Sequence, residues 1–245
     1  MALVHEFEKS GNWLFRRRSW IPLLIMVPGF VLLYFSSNDK IVFNLKTEML
    51  FLCISLAGQA IRILTVGFAP GNTSGRNTAD GQIADELNVT GIYSVVRHPL
   101  YIGNFFMWLG PLLFLRSLWF VIVVTLIYWL YYERIMFAEE QFLRRKFGDA
   151  YDRWSEKVRA VIPSFKNFIP PKLTFSFLTV LRREYNSFVN IFLMFSALDI
   201  ARNCFLSGRI FITPFWGWLL ACSSLIWLTI RIIHKNSSWL TVEGR

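Results

Sequence analysis

A chain of 245 residues that is 54% hydrophobic and 17% aromatic but only 17% charged falls short of the roughly 25% charged content of a soluble domain. That balance excludes an ordinary soluble enzyme and points to a polytopic membrane protein. The net charge of +10 then reads as the cytoplasmic excess of Lys and Arg that sets membrane orientation, and no nucleic-acid partner is expected.

Taken in chain order, the first 19 residues are polar. The apolar run behind them carries Pro22 and Pro28 and no small-residue cleavage site, so no cleavable leader is expected. Six apolar stretches follow at 20–35, 49–68, 100–115, 118–137, 188–206 and 210–233. Most approach the ~20 residues that a helix needs to cross ~30 Å of hydrocarbon, although the first and third are short. A polar, Gly-rich segment over 70–90 separates the second from the third. Leu115-Arg116-Ser117 is long enough only for a turn, so the third and fourth stretches read as an antiparallel helix hairpin.

Residues 138–159 continue the fourth stretch with Phe142, Leu143, Phe147, Tyr151, Trp154 and Val158 near helical spacing. This is an amphipathic helix with a possible break at Gly148, lying on the membrane surface or over the bundle mouth. The prolines of "VIPSFKNFIPPK" end any helix and mark the best boundary in the chain. The fold class expected is all-α and integral to the membrane, with about six transmembrane helices. Three regions are expected: an N-terminal helix pair (1–69), a core of polar loop, hairpin and amphipathic helix (70–163), and a C-terminal helix pair (164–245).

With the N-terminus set in the cytoplasm, 20 of the 26 basic residues fall on that side and four on the other. Both termini and the 134–185 segment are therefore expected to be cytoplasmic. Arg62 and Arg202 lie inside spans, where a charge is costly and by default faces the bundle interior or a polar cavity. Cys53, Cys204 and Cys222 have no metal-ligand spacing and read as small buried apolar residues.

The chemistry-bearing stretch is "GIYSVVRHPLYIGN", Gly91 to Asn104. Pro99 disfavours helix at His98 and tolerates the first turn of a helix beginning there. His98 then sits where free backbone N–H groups favour anions, and Arg97 offers a planar fork for a carboxylate or phosphate. A second group, Glu133, Arg134, Glu139 and Glu140, closes the fourth stretch. The hairpin would bring it beside His98. Glu140 has Arg144 four residues on and is expected to form an exposed ion pair with it. Glu139 has no such partner and is the better functional residue.

Together, "GIYSVVRHPLYIGN" and "EEQFLRRKFGDAYDRWSEKVRAVIP" resemble the isoprenylcysteine carboxyl methyltransferase and phospholipid methyltransferase superfamily. Those membrane enzymes share Gly-x-Tyr-x-x-x-Arg-His-Pro-x-Tyr followed some forty residues later by Glu-Glu, Phe-Gly-x-x-Tyr and Ile-Pro. The match covers about Thr78 to Pro163. The resemblance implies S-adenosylmethionine as cofactor on the cytoplasmic side. By position it implies Leu87, Asn88 and Tyr93 from the preceding loop as cofactor contacts. His98, Pro99, Leu100 and Tyr101 follow from the His-Pro element and Glu139 from the Glu-Glu helix, with Thr78 a looser candidate. Arg97, His98 and Arg134 are the candidate catalytic residues. The family often carries an arginine four residues before the first Glu; here Arg134 stands five before, about 140° round an ideal helix from Glu139.

The reaction implied is methyl transfer to an anionic oxygen, a carboxylate or phosphate, of a membrane lipid or lipid-linked acceptor such as a prenylcysteine or a lipid A type phosphate. An N-methyltransferase of phospholipid amines is the alternative, but it needs a base to deprotonate the amine. Sterol-type reductases using NADPH share Arg-His-Pro-x-Tyr but are longer chains with more spans. A small transporter, with Arg62 and Arg202 lining an ion path, is disfavoured on the expectation that the spans hold no paired acidic residues.

Overall fold

The computed structural model describes residues 2–36, 44–71, 73, 76–78 and 81–245. Its helices are α1 (Leu3–Arg17), α2 (Ile21–Ser36), α3 (Leu45–Gly67), α4 (Pro99–Phe114), α5 (Leu118–Phe147), α6 (Asp149–Ser155), α7 (Phe177–Ser207) and α8 (Pro214–Asn236). A two-stranded antiparallel ribbon, β1 (Arg76–Thr78) with β2 (Gly81–Ile83), lies in the polar segment, and a 3-10 turn covers Gly91–Ser94. The chain is thus overwhelmingly helical.

All six apolar stretches are helical, yet among the described residues only α3, α5, α7 and α8 are long and apolar enough to span a membrane. A fifth span exists if α1 and α2, bent by 75° at their junction, count as one. Four to five spans therefore stand where about six were expected. The shortfall comes from α4 and, unless it is counted with α1, from α2: each has 16 residues and rises only ~24 Å against ~30 Å of hydrocarbon. Helix α1, unexpected in the polar N-terminal stretch, lies along α5. Gly11 makes this close approach possible, since a Cβ there would come within 2.1 Å of the Arg134 carbonyl oxygen. Glu8 pairs with Arg145 at 2.6 Å.

Helices α3 and α4 meet through small residues, the usual way for apolar helices to approach closely. A Cβ on Gly58 would come within 2.4 Å of the Gly103 carbonyl oxygen, and one on Gly110 within 2.1 Å of Ser55 Oγ. Ser55 Oγ itself donates to the Met107 carbonyl at 3.0 Å. The tight α4–α5 turn holds Arg116 at φ 53. Near it, Phe114, Phe195 and Trp216 pack together, with the last two rings stacked at 4.9 Å.

Both in-span arginines face the interior; packing supplies Glu48 and Glu184 from other helices, while Asp199 stands three residues before Arg202 on the same helix, so the expectation of no paired acid mid-span is corrected. Arg202 of α7 pairs with Glu48 of α3 at 2.5 Å and with Asp199, while Trp216 Nε1 donates to the other Glu48 oxygen at 2.8 Å. Arg62 of α3 pairs with Glu184 of α7. The cysteines correct another expectation: Cys53 and Cys222 are exposed on the helix surfaces rather than buried.

Candidate functional site

Pro99 opens α4, which leaves His98 at the N-cap with φ −121 and ψ 58. The residues ahead of it are clamped by chain that follows α6. Arg97 N–H donates to the Arg159 carbonyl at 2.9 Å, His98 N–H to Ala160 at 3.2 Å, and Ser164 N–H to Val95 at 3.0 Å. Trp154 Nε1 donates to the Tyr93 carbonyl at 3.1 Å. Gly91, at φ 60 with Pro171 3.3 Å from where a Cβ would be, donates its N–H to Ile169 at 2.8 Å. The proline-rich stretch read as a boundary thus also straps the His-Pro element in place.

The other wall comes from α5. His98 Nε2 lies 2.8 Å from Glu140 Oε1, and its Nδ1 lies 3.7 Å from Glu139 Oε2. The Tyr101 hydroxyl donates to Glu139 Oε2 at 3.0 Å. Arg97 Nε stands 3.1 Å from Glu140 Oε1 and its Nη1 donates to the Ser155 carbonyl at 2.8 Å. This corrects the reading of Glu140 as an exposed partner of Arg144: Arg144 pairs instead with Asp152 at 3.0 Å. The chain reverses at Gly148, with φ 52 and ψ −129, and that reversal brings Asp152 back to Arg144. Burial pushes the Tyr93 phenol well above its ordinary value, and the Glu139 charge adds to this. Burial and Glu140 do the same at Tyr151. Both rings are neutral phenols across the physiological range.

These groups line one cavity of about 850 Å³, within the usual size of a small-molecule site. Leu87, Asn88, Tyr93, Arg97, His98, Pro99, Leu100, Tyr101 and Glu139, all singled out from sequence, line it together. Arg134 does not. Its guanidinium carbon lies 3.3 Å from the ring centroid of Phe7, because its position on α5 faces α1, so the candidate catalytic arginine is placed outside the cavity. Thr78 falls on β1, and its side chain is outside the described residues.

The cavity also takes residues that sequence reading passed over. Glu140, Tyr151 and Trp154 lie beside the predicted set. Beyond Tyr101 come Arg62, Asn104 and Tyr132, then an apolar end formed by Met26 and Phe30 of α2, Met107 and Pro111 of α4, and Ile191 and Met194 of α7. The mid-span charge of Arg62 was a usable signal. The contribution of α7 had none, since it depends on how distant helices pack.

The phospholipid methyltransferase family matches residues 51–150. A protein-S-isoprenylcysteine O-methyltransferase of Schizosaccharomyces pombe is 36% identical over 115 residues, 46% of this chain and 47% of that protein. The protein of the same name from Tribolium castaneum is 24% identical over 153 residues, 61% of this chain and 50% of its own length. A nickel-cobalt-cadmium resistance protein of Alcaligenes xylosoxydans xylosoxydans is 31% identical over 88 residues, 36% of this chain and 41% of that protein. The chain spans about half the length of the curated relatives it matches. No solved structure matches it. The resemblance to the isoprenylcysteine and phospholipid methyltransferase superfamily, read first from two motifs, therefore rests on the core of the chain as well.

Proposed function

Starting from a core that matches the phospholipid methyltransferase family over residues 51–150, we propose that this protein is an S-adenosylmethionine-dependent methyltransferase. Its acceptor is the anionic oxygen of a membrane lipid or lipid-linked molecule. A prenylcysteine carboxylate is the favoured acceptor, because matching relatives bear the name protein-S-isoprenylcysteine O-methyltransferase. The observation that carries the reading is the single cavity joining a polar end at His98, Glu139 and Glu140 to an apolar end between α2 and α7.

The residues present suit such a cofactor. Tyr93 and Tyr101 offer neutral aromatic faces to a sulfonium, which an aromatic quadrupole attracts. Glu139 is a buried carboxylate suited to an ammonium or to ribose hydroxyls, and Leu87 and Leu100 supply apolar surface for a base. When bound, S-adenosylmethionine supplies an electrophilic methyl group on a positively charged sulfur. The chain then aligns the acceptor and keeps water out. Because the acceptor oxygen and the sulfonium carry opposite charges that vanish in the transfer, alignment and a dry site account for most of the rate.

A carboxylate acceptor needs no general base, so His98 is assigned to shaping the pocket through Glu140 rather than to proton abstraction. Arg18, Arg62 and Arg97 all line the cavity, which favours an anionic acceptor over an amine. The hairpin of α4 and α5, the amphipathic end of α5 and α6 form the cofactor pocket in this reading, the core of a three-part organisation (1–69, 70–163 and 164–245). The positive-charge distribution supports a cytoplasmic location for that pocket and both termini.

Heat-stabilisation of the detergent-solubilised protein tests the proposal, since a ligand that binds the folded state raises its apparent stability. S-adenosylhomocysteine is expected to stabilise it and NADPH to have no effect; the reverse would replace the reading with a reductase. Methyl transfer to a prenylcysteine analogue, a lipid phosphomonoester and phosphatidylethanolamine then ranks the acceptors. Transfer confined to the amine would overturn the anionic assignment.

A further inference from the structure

With Arg134 stacked on Phe7, a different cation has to meet the acceptor anion, and the cavity offers three. Arg97 is engaged by Glu140 and the Ser155 carbonyl. Arg18 sits at the α1–α2 bend, its guanidinium carbon 4.0 Å from the ring centroid of Phe15. Arg62 lies between the polar and apolar ends. Its neighbour Asn104 is six residues along α4 from His98, a rise of ~9 Å.

Arg62 is held from two other helices. Its Nε and Nη2 donate to the two oxygens of Glu184 at 2.8 and 2.7 Å, and its Nη1 donates to Asn104 Oδ1 at 2.6 Å. A guanidinium carries five N–H donors; these three bonds leave two on the terminal nitrogens. The side chain keeps 16% of its surface exposed and lines the cavity. Its path depends on Gly103, where a Cβ would come within 2.6 Å of Arg62 Cγ.

We propose that Arg62 positions the acceptor: its remaining N–H pair takes the acceptor's carboxylate or phosphate head while the tail lies in the apolar end of the cavity. Glu184 is the positioning residue that fixes the fork. This rests on the methyltransferase reading and adds to it the acceptor's binding group. Glu184 and the cavity-lining Ser187 and Asn190 one and two turns beyond it belong to α7, outside the matched segment 51–150. The C-terminal helix pair thereby becomes part of acceptor recognition.

The ion pair suits turnover. Glu184 balances the guanidinium when no acceptor is bound, so the arginine persists at membrane depth without stranding a charge. Methylation removes one negative charge from the head, turning a carboxylate into a neutral ester and a phosphomonoester into a singly charged diester, and either product is held by weaker charge-assisted bonds than the acceptor was. Product release follows from the chemistry itself.

The test uses the full chain in mixed micelles with two anionic probes, a prenylcysteine carboxylate and a lipid phosphomonoester. Arg62→Lys keeps the charge and loses the fork. Arg62→Gln/Glu184→Gln removes both charges, so no buried ion is left unpaired. Both variants are expected to lose about tenfold to a hundredfold in acceptor KM, the range for a charge-assisted bond, and to lose heat-stabilisation by the preferred probe. Stabilisation by S-adenosylhomocysteine should stay within about twofold in apparent Kd, and Glu184→Asp should recover acceptor KM over Glu184→Gln.

Wild-type acceptor KM and probe stabilisation in both Arg62 variants would overturn the proposal. So would their loss in Arg18→Gln alone. Failure of S-adenosylhomocysteine to stabilise wild type would remove the methyltransferase reading. An Arg62-dependent response to the anionic probes would still uphold the anchor.

Discussion

Gly58→Ala puts a methyl group where α3 meets α4. The added Cβ would stand 2.4 Å from the Gly103 carbonyl oxygen and 2.7 Å from the Met107 backbone nitrogen. Carbon–oxygen contacts settle at roughly 3.3–3.6 Å, and both obstacles are backbone, so the helices have to separate by about 1 Å. Overpacking of this kind costs about 1–3 kcal/mol, offset by about 1 kcal/mol gained when alanine replaces glycine in a helix. A net loss of about 1 kcal/mol lowers the Tm of a chain this size by roughly 2–4 °C, readable in detergent by intrinsic fluorescence. The same separation stretches the Arg62–Asn104 contact of 2.6 Å, so acceptor KM should rise more than the apparent Kd for S-adenosylhomocysteine. Gly103→Ala meets Arg62 Cγ at 2.6 Å and the Gly58 carbonyl oxygen at 2.9 Å, and should raise acceptor KM while also lowering Tm. An unchanged or raised Tm in Gly58→Ala, with acceptor KM intact, would refute the close contact and its link to the site.

Glu140→Gln should weaken stabilisation by S-adenosylhomocysteine about as much as Glu139→Gln, whereas Arg144→Gln should leave it unchanged; thermal shift across a ligand titration compares all three. Arg134→Ala should leave both acceptor KM and cofactor binding at wild-type values and lower stability by about 0.5–1 kcal/mol, the worth of its contact with Phe7. Arg202→Met, at a residue that does not line the cavity, should cost about 3–5 kcal/mol by stranding Glu48 and Asp199. Unfolding in increasing denaturing detergent is the measurement, and a wild-type midpoint would mean that the buried cluster is not a structural tie.

What could be read from the chain alone depended on how local the signal was. Pro99 marked the start of α4 because its ring acts on the adjacent residue. The pairing of 91–101 with 139–140 could be read because a three-residue turn leaves two helices little choice but to run back along each other. Glu140 was misread because a helical spacing rule weighed only Arg144, four residues on, whereas the reversal at Gly148 gives Arg144 to Asp152 and leaves Glu140 for His98. Arg134 failed for a related reason. Its place on the α5 face was estimated correctly as turned away from Glu139, but α1 had not been expected as a helix, so nothing marked Phe7 as the surface it would cover. Glu184 opposite Arg62 and Glu48 opposite Arg202 lie 122 and 154 residues away, and no periodicity carries information over that range, whereas Asp199, three residues before Arg202, was legible from helical spacing and was overlooked.

The two halves of the cavity are built in different ways, and this bears on how acceptor choice can change. The His98 end comes from residues 91–98 and the strap at 159–169, which clamp each other through backbone bonds, and from the end of α5, which joins them through Glu139 and Glu140. A substitution there disturbs several bonds together. The other end comes from single side chains on α2, α3, α4 and α7, where Arg62, Asn104, Glu184 and Gln59 are joined by hydrogen bonds. Exchanging apolar residues such as Met26, Phe30 or Met194 changes volume without unpairing a polar group, for which cores of this kind are tolerant. Acceptor tail length and bulk should therefore vary with those positions while the Arg62 fork continues to demand an anion. Widening the groove by Phe30→Ala should broaden the range of tails accepted yet still exclude neutral heads.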